Sequence, residues 1–386
     1  MKNQITRNIP VEALMTDDEL LNVNGGVDVS GLITQSDPIN ASEYKTTILP
    51  TYECNYSCWY CIQKHTPVEI DYDKFDLIIK YVKKYLIENK IESYVLSWFG
   101  GEPLTQPKAI EYVSSRLLRF CEENGIEYSS GITTNGALLS EDVIKMLMSY
   151  KINHYQIALD GDEEAHNRIK FDDNSNSSFA LILSNMSNLL RVNKEAVLTL
   201  RLNYTLPMLR SRKLVTEISR HIPRDLRHRL TVDLQKVWQI NELSVPIQDL
   251  CNLQKELTEN GFKLNTDHVF SMCYVEKKHY NMFFYNGGVE KCDKRPIDAL
   301  RGFINSEGDI VWKESPIFQN YSLFSEDCIC NDCKYYPLCY NGCPVHREER
   351  IQEYGKVICG HKGSPELHES RIRDYCWRII NNAKLK

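Results

Sequence analysis

Between residue 45 and about residue 260 short apolar runs alternate six times with helical stretches, and that alternation limits the fold more than any other feature of the chain. Strand–helix repeats of this kind build a parallel sheet with helices outside it. The spacing predicts strands near 45–51, 92–99, 127–134, 154–160, 197–205 and 229–238. The first helix carries Phe75, Ile78, Ile79, Val82, Tyr85 and Leu86 at helical spacing. The second carries Ile110, Val113, Leu117, Leu118 and Cys121, which makes Cys121 a core thiol. Two later strands alternate strictly: Leu200, Leu202 and Tyr204 with Thr199, Arg201, Asn203 and Thr205, and Leu230, Val232 and Leu234 with Thr231, Asp233 and Gln235. A strand buried between two helix layers would be apolar on both faces. The polar face therefore lines something wet, as in a barrel too open to be plugged by its own side chains, or lies at a solvated sheet edge.

At 386 residues with 42% hydrophobic content the chain can bury a large core and a smaller satellite. A formal net charge of -6 argues against nucleic acid as a partner. The basic concentration at Arg224, Arg227 and Arg229 is interrupted by Asp225 and reads as a solvated surface. No signal peptide or membrane-length apolar run is evident, so a cytoplasmic protein without a membrane partner is expected. In that reducing compartment the fourteen cysteines read as metal ligands or catalytic thiols before disulfides. Three fall within Cys54–Cys61 and eight between Cys273 and Cys359, so metal chemistry is expected at two places.

Cys54-Asn-Tyr-Ser-Cys58-Trp-Tyr-Cys61 follows the first predicted strand and supplies three thiolates, which leaves one iron of a [4Fe-4S] cluster without a protein ligand. A zinc site would need a fourth ligand, and His65 is the nearby candidate. Gly100-Gly101-Glu102-Pro103 ends the second strand, Thr133-Thr134-Asn135-Gly136 the third, and Ala158-Leu159-Asp160-Gly161 the fourth.

On these motifs the sequence resembles the radical S-adenosylmethionine superfamily. That resemblance implies an α/β fold, a partial (β/α)6 TIM-type barrel with a small C-terminal iron-sulfur domain. It implies that Cys54, Cys58 and Cys61 hold the cluster, and that Gly100, Gly101, Glu102 and Pro103 meet the methionine amino group. Tyr60 would touch adenine, Thr134, Asn135 and Asp160 would contact the cofactor, and Arg201 and Asn203 would take its carboxylate or ribose. Many relatives have serine at the position of Ala158, so that hydroxyl contact is missing here. Cys273, Gly287-x4-Cys292, Cys330-x2-Cys333-x5-Cys339-x3-Cys343 and Cys359 resemble the SPASM extension of the superfamily. Cys330-x2-Cys333 alone could begin a zinc knuckle. The resemblance implies two auxiliary [4Fe-4S] clusters, one on Cys330, Cys333, Cys339 and Cys359, the other on Cys273, Cys292 and Cys343 with His279, Cys328 or substrate left for the fourth position. Asp293 occupies the place where anaerobic sulfatase-maturing enzymes carry a proton acceptor.

The organisation expected is a leader-like extension over 1–44, a barrel over 45–264, a SPASM domain over 265–365 and a C-terminal helix over 366–386. Residues 14–26, ending Asn24-Gly25-Gly26, resemble a double-glycine leader, although Thr16-x-x-Glu19 is also a helix capping box. The activity implied is reductive cleavage of S-adenosylmethionine followed by hydrogen abstraction from a ribosomally made peptide, giving a thioether or other crosslink. Formylglycine formation by a sulfatase-maturing oxidoreductase is the alternative, and a non-catalytic electron carrier or peptide scaffold a third reading. Partners are then a peptide or protein substrate and an electron donor such as flavodoxin or ferredoxin.

Overall fold

The computed structural model describes residues 42–171, 177–237, 239, 247–266, 273–293, 300–313, 342–355, 359 and 365–385. The leader-like segment at 14–26 lies outside them. The six predicted strands form as β1 (Glu43–Leu49), β2 (Ser93–Trp98), β3 (Glu127–Thr134), β4 (Ile152–Leu159), β5 (Val197–Tyr204) and β6 (Leu230–Lys236), paired in chain order and all parallel. A two-residue strand, β7 (Lys263–Leu264), extends the parallel run. This is the mixed α/β fold with a parallel sheet that the strand–helix alternation predicts.

The helices cover one face of that sheet because their apolar residues recur at helical spacing. In α1 (Tyr72–Glu88), Phe75, Ile78, Ile79, Val82 and Leu86 are buried. In α2 (Pro107–Glu123), Ile110, Val113, Leu117 and Cys121 are buried, and burial pushes the Cys121 thiol up to about 12, the mark of an inert core thiol. Helix starts are fixed by side-chain caps. Ser140 accepts from the Val143 amide at α3 (Glu141–Ser149), Asp162 from Ala165 at α4 (Glu163–Ile169), and Ser177 from Ala180 at α5 (Ser178–Val192). On β5 and β6 the residues facing the helices, Leu198, Leu200, Leu202, Leu230 and Val232, are all fully buried. The opposite face carries Thr199, Arg201, Asn203, Thr231, Asp233 and Gln235 in matched register, Arg201 beside Asp233 and Asn203 beside Gln235.

Four more strands join at the β1 edge: β8 (Tyr280–Phe284), β9 (Gly288–Glu290), β10 (Gly302–Ile304) and β11 (Ile310–Trp312), giving the order β11-β10-β9-β8-β1-β2-β3-β4-β5-β6-β7. Residues 42–265 and 281–313 make one compact unit. Phe283 and Phe284 are buried in it, Tyr52 stacks on Phe284 at 6.0 Å, and the Tyr285 amide donates to Leu49 O at 2.9 Å. The other unit comprises residues 1–41, 266–280 and 314–386. It contains α6 (Pro344–Tyr354), whose buried Arg347 pairs with the buried Glu276, and α7 (Pro365–Ala383). Among the described residues no helix is long and apolar enough to cross a membrane.

Two arginines read from sequence as a solvated surface are instead built into the barrel. Arg227 is buried, stacks over the Phe262 ring at 4.5 Å, and donates to the main-chain carbonyls of Ile222, Ser219 and Asn260. Arg229 donates to Asn193, Ala196 and Leu190 carbonyls. Charge patterning cannot separate a guanidinium that solvates itself from one that satisfies carbonyls left over at segment ends, because both need the same residue. Replacing Arg227 with methionine strands three carbonyls, so Arg227→Met is expected to lower the unfolding free energy by about 2–3 kcal/mol in anaerobic urea titrations.

Candidate cofactor site

The cysteine loop leaves β1 at Leu49 and is pinned first by the turn that ends β2. Gly101 N donates to Thr51 O at 3.1 Å and Glu102 N to Glu53 O at 2.7 Å. The approach is too close for a side chain: a Cβ on Gly101 would sit 2.1 Å from Glu53 O, and one on Gly100, whose φ is +138°, would sit 2.5 Å from Thr51 O. The two glycines are thus explained by contact between loops. The Glu53 carboxylate closes the far end of the loop, accepting from Val68 N at 2.8 Å and from the Gln106 amide at 3.4 Å.

Glu102 turns inward. Fully buried, it accepts from Thr134 Oγ1 at 2.7 Å, Leu104 N at 3.0 Å and Asn135 N at 2.7 Å, and it caps the short helical turn begun by Pro103. Burial pushes its carboxyl up to about 6, against the pull of these donors. The carboxylate that the resemblance sends to the methionine ammonium also ties the β2 turn to the β3 turn.

Asn135 reaches back to the cysteine loop. Its amide donates to Asn55 Oδ1 at 2.8 Å and points at Cys54 Sγ at 3.9 Å, while Tyr56 N points at the same sulfur at 3.5 Å. N–H groups aimed at a sulfur are what an iron-bound thiolate uses to spread its charge, so this donor set fits a cluster. Among the described residues no three thiol, imidazole or carboxylate groups converge on a point for one ion. A cubane asks for less, since each thiolate binds its own iron. Burial pushes the Cys54 thiol up to about 11, and Cys58 and Cys61 upward as well, so metal binding would release protons. Of the three loop cysteines His65 approaches Cys61, with Nε2 at 3.3 Å from its sulfur.

The loop's other anchor is the polar face of the barrel. Tyr60 donates its hydroxyl to Asp160 Oδ1 at 2.5 Å, the same oxygen accepts from the Asn203 amide at 3.0 Å, and Asn203 Oδ1 accepts from Arg201 Nε at 2.9 Å. Gln239 donates to the Tyr60 carbonyl. Asp160 is nearly fully buried and paired with the buried ammonium of Lys170, which also donates to Ala158 O at 3.3 Å. Burial, the largest influence, raises the Asp160 carboxyl, but Lys170 and the other groups facing it, the Tyr60 hydroxyl among them, together hold it below the usual carboxylate range. Burial, with Asp160 next, drives the Tyr60 hydroxyl far upward, so it is a donor at every physiological pH. His166 is neutral, pushed down to about 3 by burial. Its Nδ1 accepts from the Asp160 amide at 3.1 Å, so its 3.9 Å approach to the carboxylate is no ion pair.

Of the residues named from sequence, the structure thus gathers Cys54, Cys58, Tyr60, Cys61, Gly100, Gly101, Glu102, Pro103, Thr134, Asn135, Asp160, Arg201 and Asn203 around one end of the barrel. Lys170, His166, Glu53 and Gln239 were missed. Lys170 stands ten residues beyond Asp160, and no spacing rule selects it; its contact with the motif exists only after the chain turns through α4.

In the second cysteine region Cys292 follows β9, is buried, and lies with Sγ 3.8 Å from Asp293 Oδ1. Cys273 and Cys343 each precede a helical segment, His279 is buried, and Cys359 is half-buried. Cys328, Cys330, Cys333 and Cys339 lie outside the described residues.

Two expectations follow from this geometry. Gly101→Ala should displace the loop, and iron per chain should fall by about four, one cubane's worth, when anaerobically reconstituted protein is analysed. Lys170→Met leaves the Asp160 carboxylate buried without its cation and should cost about 3–5 kcal/mol by denaturant titration, whereas the double variant Asp160→Asn with Lys170→Met should recover most of that loss.

Comparison with known proteins agrees with the site. The Radical SAM superfamily profile matches residues 48–205, which run from the end of β1 to just past β5. A serine-type anaerobic sulfatase-maturating enzyme of Bacteroides thetaiotaomicron is 21% identical over 348 residues, covering 78% of this chain and 82% of the relative. Among solved structures, native anSMEcpe with bound AdoMet and Cp18Cys peptide superposes with a TM-score of 0.61 at 18% identity, over 89% of this chain and 100% of that one. Streptococcus suis SuiB bound to precursor peptide SuiA gives 0.53 at 16% identity, over 87% and 78%. The three-thiol loop, the glycine turn packed against it and the parallel strands that carry both lie within the stretch that matches the Radical SAM superfamily, so residues 48–205 form a radical SAM domain.

Proposed function

We propose that this chain oxidises a side chain of a ribosomally made peptide, forming a thioether or other crosslink with loss of two hydrogens. The observation that carries the reading is the junction between the cysteine loop and the polar barrel face, where Tyr60, next to Cys61, is bound by Asp160 and Asn203 on the wall that also presents Arg201. Cys54, Cys58 and Cys61 would hold a [4Fe-4S] cluster with S-adenosylmethionine beside it. Cys330, Cys333, Cys339 and Cys359 would hold one auxiliary cluster, and Cys273, Cys292 and Cys343 another. When bound, these groups supply a carbon-centred radical able to take hydrogen from an unactivated C–H bond, an acceptor for the electron left behind, and an entry point for electrons from a flavodoxin or ferredoxin.

The chain's own residues do the positioning. The Gly100-Gly101 turn, packed on Thr51 and Glu53, would hold the cysteine loop at the methionine end of the cofactor. Arg201, oriented through Nε by Asn203, keeps its terminal nitrogens for a carboxylate. The Tyr60 ring and Asn203 would flank the adenosine. Asp293 Oδ1, beside Cys292, would accept the proton given up as the substrate is oxidised. In this reading the barrel spans 45–264, the SPASM domain 265–365 and the closing helix 366–386, behind a leader-like 1–44.

Formylglycine formation on a sulfatase is the second reading, favoured by the sulfatase-maturating relative that matches most of the chain. Mass spectrometry of candidate peptides after anaerobic turnover, with and without a carbonyl trap, separates the two. Loss of two hydrogens with no trapped adduct supports the crosslink; a trapped aldehyde replaces it with the sulfatase reading. Asp293→Asn is expected to keep producing 5'-deoxyadenosine while peptide product per cleavage falls roughly ten-fold or more, the scale of a lost general base. Unchanged coupling would reduce Asp293 to a turn residue.

A further inference from the structure

We propose that Asp233 is a substrate-recognising carboxylate and that the peptides this chain modifies carry a basic side chain, lysine or arginine, close to the oxidised residue. This rests on the peptide reading above and names its substrate class.

Asp233 lies on β6 between Val232 and Leu234, on the face opposite the helix-packed Leu230 and Val232. It is only 7% exposed, yet among the described residues its partner is one neutral group: the Gln235 amide donates to both carboxylate oxygens, at 2.9 and 3.1 Å. Arg201 stands beside it in register on β5, but the two make no ion pair, because the Arg201 guanidinium is drawn along its own strand to Asn203. On the same face Gln156, Thr199 and Thr231 form one row that ends at Lys263 on β7, whose ammonium reaches away to His228 O at 3.5 Å, and Ala158 precedes Arg201 in the next. A carboxylate taken out of water without a cation is costly, and proteins keep one where a ligand supplies the charge.

Asp160 on the same wall shows the alternative. Its charge is met by Lys170 inside the fold, and its second oxygen accepts from Tyr60 and Asn203, so it needs no cation from outside. Asp233, 7% exposed against 4% for Asp160, keeps a little more contact with water, is held by Gln235, and among the described residues is left for a cation from outside. With Arg201 given to the anionic end of the cofactor, the open negative charge of the wall falls to the substrate. A protonated amine or guanidinium on the peptide meets it, and that contact would set which residue lies under the reacting end of the barrel.

The test reads binding rather than turnover, so it succeeds or fails separately from the crosslink reading. Cluster-loaded protein with S-adenosylmethionine is titrated anaerobically with acetyl-Gly-Lys-Gly-amide and with its norleucine counterpart, by ligand-observed NMR. Wild-type protein should bind the lysine probe roughly ten-fold or more tightly than the norleucine probe, and Asp233→Asn should erase that preference by weakening the lysine probe alone. Asp233→Glu, which keeps the charge, should retain part of it and serves if the asparagine variant folds poorly. Equal binding of the two probes by wild-type protein, a preference that survives in Asp233→Asn, or a loss of S-adenosylmethionine affinity in that variant would each overturn the proposal, the last by giving the carboxylate to the cofactor.

Discussion

A single buried ion pair, Asp160 with Lys170, holds the site together. A carboxylate so deeply desolvated would bind a proton and become a donor unless a cation stood against it. With the ammonium in place it stays an acceptor, and one oxygen takes both the Tyr60 hydroxyl and the Asn203 amide. Tyr60 belongs to the cysteine loop and Asn203 to β5, so a charge balanced behind β4 fixes the loop to the barrel wall. The pair is weak evidence for extra stability, since desolvating both groups consumes much of their attraction. Its value lies in orientation.

The rest of the site is organised the same way, by loops that lean on their neighbours. Parallel strands bring all their C-terminal ends to one edge, so the turns after β1, β2, β3 and β4 are adjacent in space though widely separated in sequence. Gly100 and Gly101 let the second turn rest on the first, Glu102 ties the second to the third, and Asn135 returns from the third to the first. Each tie is a hydrogen bond from a group with no freedom to relax, the condition for holding a reactive centre within a fraction of an ångström. The motif residues of such a domain also hold one another in place; Glu102 carries the tie to the neighbouring turn.

Solved structures at 18% and 16% identity share the fold, and a shared fold leaves function to the side chains it carries, here those of the polar wall of β5 and β6. On that wall Asn203 and Gln235 each hold a charged neighbour on their own strand, Arg201 and Asp233. Two opposite charges side by side that do not neutralise each other form a surface with a direction, suited to a ligand that carries both signs.

By itself the sequence determined the six strands, the buried faces of α1 and α2, the order of the motifs and the identity of the three thiols, because each depends on residues close along the chain: period, cap or spacing. Alternation on β5 and β6 also revealed the polar wall. It did not reveal that Arg227 and Arg229 serve carbonyls, that Glu102 faces inward, or that Lys170 completes Asp160. Those depend on which groups burial brings together, and burial decides whether a charge is solvated, paired or left open. A lysine ten residues from an aspartate reads like any surface lysine until α4 folds it beneath β4, where the low dielectric makes their pairing the only stable arrangement.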